Sequence, residues 1–323
     1  MNRINFSSTD STFTYDGKLI NNIDVQAQAR ANQTRAEIQN LTIKSPVGEA
    51  TLQGTMDDWR ALRYQMTINS SVDLTQISNT FETSAALRGT GNFSGTVTGE
   101  GDKFKVDGSI KSDSLAADGV RLQGLNANAS GNVQGKNYEI NGRAVAALLN
   151  AGDFQLDTLQ IVGKVMGTGT DFRWVGELRA AAEKSYGTTI TGLILRDARA
   201  EMNDGVLTAS SSQFAANGLV ASGARVNGIA ASDLRVRRQE NVTVASVATV
   251  KAGNITASGA QVKGVTANKV DVVDKDGVTN VTVNNVQVGE TVASDVAVGS
   301  LNIAGVRLSV RNQIGRASCR ERV

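Results

Sequence analysis

The chain has 323 residues, with 33 basic and 31 acidic side chains and a formal net charge of +2. It contains no histidine, one proline and one cysteine. The missing histidines and cysteines remove the commonest general base, most nucleophile–base pairs and nearly all zinc sites, so we expect no enzyme, no cofactor and no metal. The near-balance of charge does not indicate a nucleic-acid partner.

Composition favours strands over helices. Hydrophobic residues make up 40% of the chain, much of it alanine and valine, and aromatic residues only 4%. Threonine, valine, asparagine and glycine are frequent, and strong helical periodicity is nearly absent. We expect a mainly β fold: a long, repetitive, curved β-sheet, like a trough or a solenoid, with at most short helices.

The first part of the chain, residues 1–184, alternates apolar and polar residues in stretches such as YQMTINSSVDL, GNFSGTVTG and DKFKVDGSI. Alternation with period two places the apolar side chains on one face of a strand and the polar ones on the other. We expect the apolar face to line a groove. The candidate lining residues are Met66, Ile68, Phe93, Val97, Phe104, Val106, Ile110, Val120, Leu122 and Leu125.

Three segments of this part admit helix. SSVDLTQISNTF predicts one or two helical turns after Ser71. Residues 144–149 fit a helical turn or a buried strand equally well. VGELRAAAEKSYG predicts a strand that ends in a short helical patch.

The second part, residues 185–313, is a repeat with a period of 36 residues. ASGARVNGIAAS at Ala221 returns as ASGAQVKGVTAN at Ala257, and the turn signals NDGV, QENV and KDGV keep the same step. A fixed period in this range is typical of stacked architectures in which each unit buries its apolar side against its neighbours.

Glycines interrupt the alternation at regular places. Val226 and Ile229 stand three residues apart, so strict alternation would place them on opposite faces. A residue at positive φ between them can return both to one side. We therefore predict structural corners at Gly124, Gly192, Gly228 and Gly264, with Asn22, Asn40 and Asn285 in equivalent slots.

Two pairs of acidic residues are predicted to lie in turns rather than in functional sites. The VDKDGV segment, with Asp274 and Asp276, lacks the later bidentate glutamate of a calcium loop, and we expect a hairpin turn there. Asp57 and Asp58 are expected to form another hairpin turn rather than a catalytic pair.

The last residues differ from the rest of the chain. Residues 314–323 fit, codon by codon, the translation of a sequencing-adapter oligonucleotide, so we expect them not to be native and the chain to be a fragment. Without this segment the basic and acidic residues are equal in number.

The segments from Ala36 to Ile77 and from Leu87 to Gly131 resemble the repetitive β-rich midsection of the AsmA-like family, in particular its TamB-type members. The resemblance is one of strand pattern and covers roughly residues 36–236. It implies a trough with a hydrophobic interior in a periplasmic protein whose parent is anchored in the inner membrane of a diderm bacterium. It also implies phospholipid acyl chains as partners, phospholipid transport or outer-membrane protein assembly as the function, and an outer-membrane assembly barrel as a possible partner of the full-length protein.

Two other readings remain open. A secreted or surface β-solenoid, such as an adhesin, would bind through its exterior. A solenoid enzyme acting on glycans would need carboxylates that repeat in register, which the sequence lacks. Residues 185–313 fit an open trough or a closed solenoid equally well.

Overall fold

The computed structural model describes residues 1–15, 17–58, 60–81, 86–294 and 296–311. Strands account for 84% of the structure and helix for 3%, so the predicted mainly β fold is confirmed. The sheet is antiparallel and open. The chain divides into two units, Met1–Thr191 and Gly192–Val323. The predicted adapter segment, 314–323, lies outside the described residues.

In unit 1 each strand pairs with the next one along the chain. The elements are β1 (Asn2–Tyr15), β2 (Lys18–Ala31), β3 (Ala36–Ser45), β4 (Gly48–Asp58), β5 (Arg63–Asp73), α1 (Leu74–Phe81), β6 (Arg88–Glu100), β7 (Lys103–Ala117), β8 (Val120–Gln134), β9 (Asn137–Ala151), β10 (Phe154–Thr168) and β11 (Asp171–Ser185). Strand β12 (Thr188–Asn203) crosses the boundary between the units.

Strands β7 to β11 have 15 residues each and are joined by turns of two residues. One end carries turns that begin with a glycine at positive φ, as at Gly135 (φ 56°), and the other end includes the Asp118–Gly119 turn, where both residues have positive φ. Such turns match the right-handed twist of the paired strands. A hairpin of this kind repeats every 34 residues, a period that the sequence analysis missed.

Unit 2 continues with strands that are one residue longer. Its elements are β13 (Val206–Ala221), β14 (Ala224–Gln239), β15 (Val242–Ala257), β16 (Ala260–Lys275), β17 (Val278–Val288), β18 (Thr291–Ala293), β19 (Val296–Val298) and β20 (Leu301–Arg311). Strands β13 to β16 have 16 residues and two-residue turns, so the 36-residue repeat is one β-hairpin.

The last repeat keeps the 36-residue period, although the strand that follows β16 is divided into β17 and β18. Strand β16 pairs with β17 along most of its length and with β18 at its beginning. Two backbone hydrogen bonds cross the gap, from the N–H of Gly289 to the carbonyl of Gly264 at 2.9 Å and from the N–H of Lys263 to the carbonyl of Glu290 at 2.8 Å. Ser294 (φ 46°) follows Ser258 (φ 47°) at the 36-residue step.

The glycines named as corners have positive φ. The values are 62° at Gly124, 63° at Gly192, 69° at Gly228 and 88° at Gly264. Around Gly228 both Val226 and Ile229 are half-buried and the two residues between them are exposed. The two apolar side chains therefore lie on the same side of the strand.

The asparagine slots behave differently from one another. Asn22 has φ 57°, in the left-handed region. Asn40 and Asn285 are not at positive φ, and each pairs directly across the ladder, with Gln28 and with Asn268. The predicted left-handed backbone is therefore wrong at both residues. The strand pairing is regular at Asn285, whereas the predicted irregularity is present beside Asn40 as register shifts in the pairing with β2 and with β4.

A second set of corners appears in unit 2. Its residues share the left-handed region and the 36-residue step: Asp197 (φ 47°), Asp233 (φ 54°), Lys269 (φ 50°) and Gly305 (φ 71°). Strands β14 and β16 thus carry two left-handed residues where β8 and β10 carry one. In β14 and β16 the additional corner accompanies the additional residue, whereas β13 and β15 also have 16 residues but contain no left-handed residue.

Helix α1 begins where the sequence predicts it. The Asp73 side chain caps it, since Oδ1 accepts hydrogen bonds from the N–H groups of Thr75 (2.8 Å) and Gln76 (3.1 Å). Residues 144–149 belong to strand β9. The predicted helical patch before Tyr186 is wrong, because β11 remains extended to Ser185. Among the described residues, no helix is both long and apolar enough to span a bilayer.

Candidate apolar binding surface

Strand register arranges the apolar side chains of unit 1 in rows that cross strands β5 to β11. Directly paired residues in antiparallel strands place their side chains on the same face. One row, called the valine row, consists of Met66, Val97, Val106, Gly131, Ile140, Val165 and Trp174.

A parallel row lies four residues away along each strand. Most of its side chains are also apolar, and Phe93 and Ile110 are paired directly. This row, called the isoleucine row, consists of Ser70, Phe93, Ile110, Ala127, Ala144, Ile161 and Leu178.

Between the two rows runs a line of small residues. After Ile68 it contains only glycine and alanine, so the surface here has almost no side-chain volume. This line, called the glycine row, consists of Ile68, Gly95, Gly108, Ala129, Gly142, Gly163 and Gly176. The three rows together are called the apolar face of unit 1.

Aromatic rings lie across glycines of this face. A Cβ atom added to Gly108 would come within 2.8 Å of Phe93 Cε2, and one added to Gly176 within 2.8 Å of Trp174 Cζ2. Tyr64 lies over Gly99 in the same way, with its Cζ atom 2.7 Å from the added Cβ. A ring over a glycine restores the side-chain contact that the glycine itself cannot supply, and it keeps this line of backbone covered by apolar carbon.

The opposite face of the same strands is polar. Its side chains form ion pairs between neighbouring strands, including Lys164 with Glu139 at 2.7 Å and Lys184 with Asp157 at 2.7 Å. The Lys184 ammonium and the amide of Gln155 hold the pKa of Asp157 below its usual value. The two faces of one sheet therefore differ sharply in chemistry.

The candidate lining residues fall on or beside the apolar face with different exposure. Met66 is buried (9% exposed), whereas Ile110 (43%) and Val120 (42%) are exposed. The others are half-buried: Ile68, Phe93, Val97, Phe104, Val106, Leu122 and Leu125. Phe104 pairs with Gly99 and Val133, one row beyond the valine row.

Part of the apolar surface remains accessible. The chain exposes 20631 Å², where a globular protein of its mass exposes about 13,000 Å². No side chain in the described ranges is both large and fully buried. The half-buried side chains of the apolar face therefore keep some surface that a ligand can contact.

A separate line of leucines ends at a carboxylate. Leu115, Leu122, Leu149 and Leu156 pair in succession across β7 to β10, and Leu156 pairs with Glu183 on β11. Glu183 is only 6% exposed. Its burial is not visible in the sequence, because the neighbouring residues in the chain, AAAEKS, favour a solvated charge.

Unit 2 has a similar face built from smaller side chains. Its rows contain mostly alanine and valine, and only Phe214 is aromatic. One of them consists of Phe214, Ala231, Val250, Ala267, Val286 and Ile303. On the other face Arg235 pairs with Ser210 and Ser246.

The acidic turns lie where the sequence analysis placed them. Asp276 (φ 52°) and Gly277 (φ 73°) connect β16 to β17. Asp58 Oδ1 accepts hydrogen bonds from the N–H groups of Arg60 (2.8 Å) and Ala61 (3.3 Å), and these bonds lower the pKa of Asp58. In the described part of the chain, no three histidine, cysteine, aspartate or glutamate side chains are grouped as metal ligands.

The glycine row was missed by the sequence analysis, although a signal for it exists. Gly108, Gly142 and Gly176 follow one another at a step of 34 residues, the hairpin period of unit 1. The same step links Gly124 and Gly192 through Thr158, which has φ 53°.

Comparisons with known proteins give no match: no family model, no curated protein and no solved structure matches this chain.

Proposed function

We propose that the chain is part of a non-enzymatic carrier whose apolar face holds the acyl chains of phospholipids. The observation that carries this proposal is the continuity of the valine, glycine and isoleucine rows across seven strands, with a polar face behind them. A face of this kind suits a long, flexible and apolar ligand better than a small polar one.

The energetics favour holding a chain without fixing it. Removing apolar surface from water yields about 25 cal/mol per Å², so an acyl chain gains several kcal/mol by lying against the rows. Most side chains of the rows lack hydrogen-bonding groups, and the gain therefore changes little as the chain slides. Transport benefits from this property, since a carrier must also release its cargo.

The resemblance to the AsmA-like family supports the further proposal that this function belongs to the cell envelope. In that setting the chain belongs to a periplasmic segment of a protein that is anchored in the inner membrane. In one form of the proposal the protein carries phospholipid between the membranes. In the other it assists the assembly of outer-membrane proteins together with an outer-membrane assembly barrel. The strand pattern of residues 36–236 supports the family assignment.

Two neighbouring residues provide a matched test of the apolar face. Ile161 lies in the isoleucine row, whereas Val162 pairs with Arg143 and Glu177 on the polar face and is 49% exposed. We expect a fluorescent fatty acid to bind the wild-type protein and Val162→Asp with similar affinity. Ile161→Asp should bind at least about tenfold more weakly, because a carboxylate then interrupts the apolar row.

The measurement is a fluorescence titration at fixed ionic strength, with circular dichroism to verify that both variants keep their β content. Equal binding by the two variants would contradict the proposal. Absence of binding by the wild-type protein would favour a protein that acts through its exterior.

A further inference from the structure

Glu183 is the one acidic residue among the buried side chains of the described ranges. A carboxylate beside apolar side chains is stabilised by an opposite charge or by hydrogen-bond donors. The oxygens of Glu183 are not among the enclosed side-chain atoms that lack a partner in the described ranges, so a ligand can reach the carboxylate. The ion pairs and hydrogen bonds of the described residues include none to Glu183. The neighbouring Lys184 pairs with Asp157 on the other face.

The position of Glu183 suits the head of an amphiphile. It continues the line of leucines formed by Leu115, Leu122, Leu149 and Leu156, so its carboxylate adjoins an apolar surface. It also lies two residues before the end of β11, next to the turn at Tyr186, which is 87% exposed. A head group at this site stays close to water while the tail runs inward.

We propose that Glu183 binds the ammonium group of an amphiphile, such as the primary amine of an ethanolamine phospholipid, whose tail lies on the apolar face. An ammonium group brings the opposite charge and up to three hydrogen-bond donors, and a carboxylate accepts such bonds. This inference rests on the proposed function and adds a preference for a class of head group.

The test compares two ligands that share one tail. Hexadecylamine carries an ammonium group and hexadecanol carries an uncharged hydroxyl group. Both are titrated, below the concentration at which they aggregate, as competitors of the bound fluorescent fatty acid. We expect the wild-type protein to bind the amine about tenfold more tightly than the alcohol.

Three variants separate the charge from the fold. Glu183→Gln should lose the preference for the amine and keep its affinity for the alcohol, and Glu183→Asp should retain part of the preference. Glu139→Gln removes a carboxylate from the polar face and should behave like the wild-type protein. Circular dichroism verifies the β content of each variant.

The outcomes distinguish the two proposals. Equal affinity of the wild-type protein for both ligands, or an unchanged preference in Glu183→Gln, would overturn the role of Glu183 and leave the acyl-chain surface standing. Failure of both ligands and of the fatty acid to bind would overturn the proposed function and this inference with it.

Discussion

Thr158 has a backbone conformation that its side chain disfavours. Its φ of 53° lies in the left-handed region, where a β-branched residue is rarely found. Gly124 and Gly192 occupy the equivalent positions 34 residues away on either side. The left-handed conformation at this position therefore follows from the repeating hairpin, and threonine is less favourable there than glycine.

Replacing Thr158 by glycine should raise the free energy of unfolding by up to about 1 kcal/mol, because relief of the left-handed strain exceeds the entropic cost of glycine. Thr96→Gly, in the regular strand β6, is the control and should lower it. Both are measured by urea unfolding. Destabilisation of Thr158→Gly to the same extent as the control would contradict this explanation of the corner.

Asp58 makes the β4–β5 turn sensitive to acid. Since the folded protein holds the pKa of Asp58 below its ordinary value of 3.8, its contribution to stability is present above that pH and is lost as the pH falls through the folded pKa. The melting temperature of Asp58→Ala should therefore lie below that of the wild-type protein at pH 6, and the gap should narrow towards pH 3. A gap that is constant with pH would contradict the assigned role.

At the residue scale, the sequence predicted features that depend on adjacent residues in the chain better than features that depend on neighbouring strands. The lining residues are visible as the apolar positions of a local alternation, and the corner glycines are visible as breaks in it. Glu183 was not visible, because its pairing with Leu156 on the neighbouring strand depends on register and not on adjacent residues in the chain. The corner at Asp233 was also invisible, since aspartate is common in exposed strands and turns alike.

At the scale of the element, the two-residue turn fixes the hairpin. Ser258 (φ 47°) and Gly259 (φ 80°) join β15 to β16, and both are in the left-handed region. Asparagine followed by glycine is the preferred pair for such a turn. The sequence of this turn is therefore good but not optimal.

Ser258→Asn should stabilise the protein by a few tenths of a kcal/mol, whereas Gly259→Ala should destabilise it by about 1 kcal/mol because alanine is strained at this φ. No heavy atom lies within 4 Å of a Cβ added to Gly259, so the effect is conformational and not steric. Urea unfolding of the two variants provides the measurement. Opposite signs are expected, and a neutral Gly259→Ala would contradict the turn geometry.

Element type was predictable where alternation and turn signals agree. The exception is the end of β11, where RAAAEKS has a helical composition but is extended. Pairing with β10 continues to Lys184, which faces Gln155, and these ladder hydrogen bonds outweigh local propensity. The secondary structure of short helix-forming segments within long hairpins is decided by strand pairing and not by their own residues.

At the scale of the molecule, the hairpin is the repeating unit. Each hairpin of unit 2 contributes 36 residues and contacts mainly its neighbours in sequence. Stability in such an array is approximately a sum over units and the interfaces between them. One unit can therefore be removed if the register is preserved.

Deleting residues 224–259 joins Gly223 to Ala260, which is equivalent to Ala224, and should leave a folded protein with one cooperative unfolding transition. Deleting residues 231–265 is the control. The junction then lies inside a strand and leaves one residue more than the repeat has, so the rest of the strand shifts by one residue and exchanges its two faces. This variant should unfold at much lower urea concentration or aggregate. Equal stability of the two deletions would contradict the repeat.

The central claim is that acyl chains lie on one face of the sheet. The most direct measurement is photo-crosslinking with a phospholipid that carries a diazirine in its acyl chain, followed by identification of the modified residues by mass spectrometry. The account predicts adducts on the rows, such as Ile161 and Leu178, and none on Val162, which is exposed on the opposite face. Adducts distributed equally over both faces, or found mainly on the polar face, would contradict it.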